Sequence, residues 1–254
     1  MKRLLAILML CLFLAGCAPA APAETQITTE PTQTQIMTEP TQPPTEAPTE
    51  APTEPPTEAP TEPPEDDDLV RVADFIPGIR QSLAYATENN FTGQQIYDFA
   101  DAYLRYGTVK KLKAACDELA QQGLGILIWD GFRPLAAQEK LWEICPDPTF
   151  VSHPVTGSRP HCRGSAVDLT LVDLETGEQL LMPTGFDDFS ALADRDYSDC
   201  SAEAAANARL LEEVMKKYGF KPYSAEWWHF SDTDDYPVEE VFQPEQTIFS
   251  DGVG

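Results

Sequence analysis

Residues 69–254 predict an α+β domain, a mostly antiparallel sheet flanked by helices. Two observations carry that expectation. Strand-like runs such as GILIWDG and GSAVDLTLV are interleaved with helical periods, but no regular βαβ repeat links them. No glycine-rich phosphate loop follows any of the runs. The stretch has the length of one domain with a real core.

The elements follow in order. DLVRVADFIPGIRQSLAYATENNFTG (68–93) mixes short apolar runs with turn residues and reads as a strand with loops. From Thr108 to Gln122, Val109, Leu112, Cys116 and Leu119 recur at three- and four-residue steps, which is one face of a helix. Gly123 stops it. GILIWDG is an apolar run between glycines, a buried strand. Pro134 suits the first turn of a helix running to about Ile144. Residues 145–163, rich in Pro, Ser, His and Gly, form a loop. GSAVDLTLV alternates, with Ala166, Asp168 and Thr170 on one face and Val167, Leu169 and Leu171 on the other. Residues 202–218 are an amphipathic helix around Leu210, Leu211, Val214 and Met215, stopped by Gly219. PYSAEWWHF (222–230) closes the domain as a strand.

The chain ahead of the domain divides in two. Lys2 and Arg3 precede LLAILMLCLFLA, a charged start and an apolar run too short for a comfortable permanent span. The run ends in L-A-G-C at Cys17, which resembles a bacterial lipoprotein signal. That resemblance implies a signal peptide over 1–16, removal before Cys17, and lipidation of Cys17. More than one acyl chain there makes anchoring stable. Residues 17–68 then carry a Thr-Glu-Pro repeat without a large apolar run. Such a segment cannot offset its ordering entropy and is expected to be a disordered linker. Proline and like charges extend it, so that it reaches on the order of 100 Å.

Charge excludes partners. Residues 24–68 hold 12 acidic and no basic side chains, and residues 69–254 hold 30 acidic against 15 basic. A nucleic-acid partner needs basic surface, and anionic lipid repels the same sign. Membrane contact is therefore expected through the lipid anchor alone. Cys116, Cys145, Cys162 and Cys200 leave three pairings of two disulfides open for an exported domain. They lack CxxC spacing, which speaks against a cysteine-rich zinc site.

The chemistry rests on three histidines, His153, His161 and His229. Asp168 follows His161 in H-C-R-G-S-A-V-D, and Glu226 precedes His229 in E-W-W-H. A catalytic zinc takes three protein ligands and keeps a fourth position open. His161, Asp168 and His229 can supply that set, because Asp168 lies among apolar neighbours and needs a cation. Glu226 is then a spare carboxylate for proton transfer. A plainer reading pairs Asp168 with Arg163 and makes Trp227, Trp228 and Phe230 core. Residues three apart on a flat strand also point to opposite faces, so Glu226 and His229 converge only at a bend or a strand end. HEXXH is absent.

W-D-G-F-R-P, S-R-P-H-C-R-G-S-A-V-D-L-T-L and E-W-W-H-F occur in this order. Together they resemble the zinc D-alanyl-D-alanine dipeptidases of the vancomycin-resistance type, within the D,D-peptidases that share H-x-x-G-x-A-x-D and E-x-W-H. Y-A-T-E-N-N-F-T-G (85–93) is similar to the dipeptidase branch, and the resemblance runs from about residue 74 to 232. It implies one zinc ion per chain on His161, Asp168 and His229. It makes Glu226 the general acid/base and Arg133 the stabiliser of the oxyanion. It also points to Asp187, with Asp188 as rival, for the substrate ammonium. Ser158 matches a polar approach to the histidine, although Pro160 replaces a polar residue there. A family tyrosine aligns with Phe99, with Tyr97 its neighbour.

The implied reaction is hydrolysis of D-alanyl-D-alanine to two D-alanine by a zinc metallopeptidase. With the lipoprotein signal, the implied place is outside the cytoplasm on the cell membrane, in turnover of cell-wall peptides. Two other readings stand beside it. One is a D,D-carboxypeptidase trimming terminal D-Ala from peptidoglycan stem peptides, and the other is a non-catalytic wall-binding lipoprotein.

Overall fold

The computed structural model describes residues 63–242. The signal stretch, Cys17 and most of the proposed linker lie outside those residues. The described chain runs β1 (Leu69–Arg71), α1 (Val72–Phe75), β2 (Arg80–Gln81), β3 (Tyr103–Arg105), α2 (Tyr106–Ala120), β4 (Leu124–Asp130) and α3 (Leu135–Ile144). It continues through β5 (Ala166–Asp173), α4 (Ala202–Lys217), β6 (Phe220–Tyr223) and β7 (Glu226–Asp232).

Five strands make the main sheet in the order β2-β4-β5-β7-β6. Only β2 and β4 are parallel; β4–β5, β5–β7 and β6–β7 are antiparallel. The α+β architecture with a mostly antiparallel sheet is therefore the observed one. β1 and β3 form a separate antiparallel pair. The central strand β5 is buried from Ala166 to Val172, as expected for a strand covered on both faces.

Helices α2 and α4 pack on each other, α2 against β4 and α4 against β5, β6 and β7. Their buried stripes contain Val109, Leu112, Ala115 and Leu119 on α2, and Ala204, Ala205, Ala208, Leu211, Val214 and Met215 on α4. Three- and four-residue steps turn those residues to one side, and burial of that side holds each helix down. Ser201 Oγ accepts the Ala204 amide at 3.1 Å and starts α4. Lys216 and Lys217 sit in its last turn, where the helix dipole favours cations. Pro134 caps α3, whose N-terminus would not have used the missing N–H.

The structure departs from the sequence expectation in three places. PYSAEWWHF is not one strand: Tyr223 ends β6 and Glu226 begins β7. The turn at Ser224–Ala225 has neither Gly nor Asn, so no turn signal divides the run. The four cysteines are free thiols, which removes both expected disulfides. Burial pushes the Cys116 thiol up to about 12 and Cys162 to about 11, so both stay protonated and inert. Finally, the packed unit begins ahead of residue 69. Gly107 donates to the Asp66 carbonyl at 2.9 Å, and Tyr106 donates to that of Asp68 at 2.8 Å. Arg105 Nη1 donates to the Asp67 carbonyl at 2.6 Å.

Candidate metal centre and catalytic site

His161 sits on a 3-10 turn, His161–Arg163, that Gly164 ends with φ 68°. An L side chain there would be strained, and a Cβ would lie 2.8 Å from Leu69 Cδ1. Gly164 is thus what lets the chain turn from His161 directly into β5. Asp168 lies on β5 directly opposite His229 of β7. Antiparallel register alone therefore brings carboxylate and imidazole together.

The three side chains are buried, and one donor atom from each lies within 4.8 Å of the others. His161 Nε2 is 3.2 Å from His229 Nδ1 and 3.3 Å from Asp168 Oδ2. His229 Nδ1 is 2.9 Å from Asp168 Oδ1. The outer nitrogens are also engaged. His161 Nδ1 is 2.8 Å from the Gly131 carbonyl, which only accepts, so Nδ1 carries a proton and in the neutral ring Nε2 is bare. His229 Nε2 is 3.0 Å from Ser231 Oγ. With the His229 proton donated there, lone pairs of two imidazoles and a carboxylate face one another. They repel unless a cation lies between them.

The donor set fits zinc. Tetrahedral ligands at about 2.0–2.1 Å from zinc stand roughly 3.3 Å apart. The three observed separations lie at or just under that spacing. Two imidazoles and one carboxylate are also a catalytic zinc set, three protein ligands with one position left. Burial alone would raise the Asp168 carboxyl, but positive charge on His161 and hydrogen bonds from protonated His161 and His229 rings outweigh it and hold it well below the usual range, so that protons do in part what a metal cation would do there.

Glu226, the first residue of β7, places Oε2 3.9 Å from His229 Nδ1. The strand end resolves the difficulty of three-residue spacing. Pairing of β6 with β7 passes from Pro222↔Phe230 to Tyr223↔Glu226, so three residues of β7 have no counterpart on β6. That bulge turns Glu226 onto the face of His229. Burial, then the Asp168 carboxylate, pushes the Glu226 carboxyl well above its ordinary value. A raised carboxyl suits a group that must both take and return a proton near neutrality.

Arg133 is buried and lines the same cavity. Its Nε and Nη2 donate to Asp130 Oδ2 at 3.1 and 2.6 Å, and its Nη1 donates to Gln138 Oε1 at 3.1 Å. A guanidinium has five N–H groups, so about two remain for a ligand. The plane is fixed by the other three, and Tyr85 supports it with its ring centroid 5.2 Å from Cζ.

Asp187 takes φ 55°, a left-handed conformation held against its preference. Tyr85 donates to its Oδ2 at 2.9 Å, and burial pushes its carboxyl up to about 7. Asp188 is exposed and accepts the Ser190 amide instead, so Asp187 is the carboxylate that faces the site. Arg133, His161, Asp168, Asp187, Glu226 and His229 all line one cavity of about 150 Å³. Ser158 lies at its exposed rim. His153 is elsewhere: its Nδ1 accepts the Val155 and Thr156 amides, and its ring packs on Trp142.

Sequence reasoning misses three residues that the structure brings in. Tyr85 lines the cavity and orients Asp187, yet it is only the first letter of Y-A-T-E-N-N-F-T-G. Asp130 and Gln138 aim Arg133, and the signal for Asp130 lay in W-D-G-F-R-P. Tyr97 and Phe99 do not line the cavity. Tyr97 donates to Asp130 Oδ1 at 2.8 Å, and Phe99 stacks on Tyr97 at 4.8 Å. They act behind Asp130 rather than on a ligand.

Known proteins are similar to this chain. A D-alanyl-D-alanine dipeptidase of Escherichia coli (strain K12) is 37% identical over 163 residues, 64% of this chain and 83% of that protein. One of Enterococcus faecium is 33% identical over 184 residues, 65% of this chain and 91% of the relative. A solved vancomycin-resistance D,D-pentapeptidase in complex with Zn(II) is 17% identical with a TM-score of 0.34, covering 52% of this chain and 74% of that one. That last likeness is too slight to carry weight. The profile of Peptidase_M15, described as D-ala-D-ala dipeptidase, matches residues 65–248, most of the chain and the whole of the site. The chain belongs to the Peptidase_M15, D-ala-D-ala dipeptidase, family of zinc peptidases.

Proposed function

We propose that this zinc peptidase hydrolyses free D-alanyl-D-alanine to two D-alanine. One observation carries the reading: a single small cavity holds the His161–Asp168–His229 triad, Glu226, Arg133 and Asp187. Relatives named for this activity match across the domain and support it. When bound, zinc supplies a Lewis acid and lowers the pKa of water at the site.

The chain's own groups do the rest. Asp187, as a carboxylate, meets the substrate ammonium inside the cavity. Charge pairing there is strong because water is scarce. The carbonyl carbon is then presented between Glu226 and Arg133. Glu226 takes the proton of the attacking water. The free N–H groups of Arg133 face the oxygen as it gains charge, where a preorganised donor stabilises by several kcal/mol. Glu226 returns its proton to the departing amine, and the C–N bond breaks. Tyr85 holds Asp187 still, and Asp130 with Gln138 holds Arg133, so little reorganises during the reaction.

The Lys2–Arg3 start, the apolar run and Cys17 support a lipid-anchored, extracytoplasmic enzyme. The Thr/Glu/Pro segment would then lift the domain off the membrane toward the wall. Dipeptide released by wall turnover is the substrate available there. A D,D-carboxypeptidase is the second reading, favoured by the reach of that segment.

Free D-Ala released by the zinc-loaded domain separates these readings. Release is expected from D-Ala-D-Ala and not from an N-acylated D-Ala-D-Ala peptide. Glu226→Ala is expected to lower kcat at least about 10²-fold with zinc still bound. Release from the acylated peptide would move the enzyme to the carboxypeptidases.

The pH profile tests Asp187. It is neutral below about 7 and anionic above, so kcat/KM for the dipeptide is expected to rise through pH 7. It falls again as the substrate ammonium loses its proton near about 8. Asp187→Asn is expected to abolish the rise at pH 7; an unchanged limb would remove Asp187 from ammonium binding.

Fractionation of cells tests the anchor. The full chain is expected in the membrane fraction, and Cys17→Ala is expected to leave it. An unchanged distribution would refute lipidation.

A further inference from the structure

The bulge that turns Glu226 toward His229 has a cost. Trp227 and Trp228 have no strand partner on either side, and His229 has none on β6. Pro222, at the edge of the bulge, has no N–H to offer the ladder. Backbone carbonyls in this stretch lack strand donors, and that of the buried His229 would be costly to leave unpaired, whereas Tyr223 and Ser224 lie at the exposed turn.

Arg195 supplies them. Its Nε donates to the Tyr223 carbonyl at 2.7 Å, and its Nη2 donates to the His229 carbonyl at 2.9 Å. Its own amide donates to the Ser224 carbonyl at 3.2 Å. One residue thus grips both sides of the bulge and the turn between them. The guanidinium is itself held. Nη1 lies 3.1 Å from Glu212 Oε2 on α4 and 3.3 Å from the Tyr197 hydroxyl. Tyr197 in turn donates to the same Glu212 oxygen at 3.2 Å and takes φ 57°, a conformation its neighbours must enforce. Cζ lies 4.5 Å from the centroid of Phe230, one residue beyond His229.

We infer that Arg195 is a positioning residue for the peptidase reaction. It replaces the missing rungs between β6 and β7 and so holds Glu226 and His229 on one face. It touches neither the cavity nor any side chain of the triad, and it sits in none of the motifs. A planar fork suits this role, because two carbonyls on different strands and one carboxylate on a helix are reached at once. A lysine ammonium reaches one of them well. The inference rests on the roles given above to Glu226 and His229.

The test uses the full domain with Arg195→Met, Arg195→Lys and Glu212→Gln, all measured well below their melting temperatures. Zinc affinity is read by competition with a chromophoric chelator, and kcat and KM are read on D-Ala-D-Ala. Arg195→Met is expected to weaken zinc binding by about 10–100-fold, as loss of a partner behind a metal ligand does. It is expected to lower kcat at least about 10²-fold while KM stays within about threefold, because Glu226 moves and Asp187 does not. Arg195→Lys is expected to recover part of both. Glu212→Gln is expected to shift both in the same direction by less. Where Arg195→Met fails to fold, the Lys and Glu212→Gln variants decide by the same criteria. A lowered melting temperature with native zinc affinity and native kcat would overturn the inference and leave Arg195 a structural residue. The zinc arm needs no substrate, so an inactive parent domain would sink the dipeptide reading and leave Arg195 to be judged on affinity.

Discussion

Repulsion among the lone pairs of three buried donor groups, His161, Asp168 and His229, governs the site. His161, Asp168 and His229 are held at about the spacing of zinc ligands, and their outer atoms are already committed to Gly131 and Ser231. With both imidazoles bare on their facing sides, nothing local to those side chains would keep them so close without a cation. The fold imposes the spacing: the β5–β7 register sets Asp168 against His229, and the left-handed Gly164 sets His161 beside them. Strands buried on both faces resist relaxing that geometry.

The reactive groups depend on the same frame. A regular β7 would send Glu226 and His229 to opposite faces. The bulge at Tyr223 puts both at one site and leaves carbonyls that Arg195 satisfies. Elsewhere on the cavity wall, Arg133 is aimed by Asp130, which Tyr97 braces from behind. Asp187 is aimed by Tyr85 and a left-handed backbone. Arg133 and Asp187 thus each have a partner that fixes their direction, which is what preorganised electrostatics requires.

Much of this is legible in the chain. Helices α2 and α4 carry long periods with glycine stops, and β4 and β5 are long apolar or alternating runs. The three residues that meet at the candidate metal site are legible from the ordered motifs. The rest is hidden for physical reasons. α1 and β3, four and three residues long, are shorter than any periodicity can register. The β6–β7 hairpin turns at Ser224–Ala225, without the Gly or Asn that most strongly announces a tight hairpin turn. The four cysteines suggest bridges by number alone, whereas in the structure all four are free thiols. Tyr85 meets Asp187 across 102 residues, and Arg195 meets His229 across 34. Contacts at such separations come from topology, not from spacing.

Zinc held on two imidazole nitrogens and one carboxylate is the claim on which the rest stands. X-ray absorption at the zinc edge of the loaded domain tests it most directly. The expected result is one zinc per chain with only nitrogen and oxygen scatterers at about 2.0–2.2 Å, including two imidazole shells. Cys162 is buried beside His161, so a sulfur at about 2.3 Å would contradict the ligand set. A domain that retains no zinc would contradict the metal centre itself.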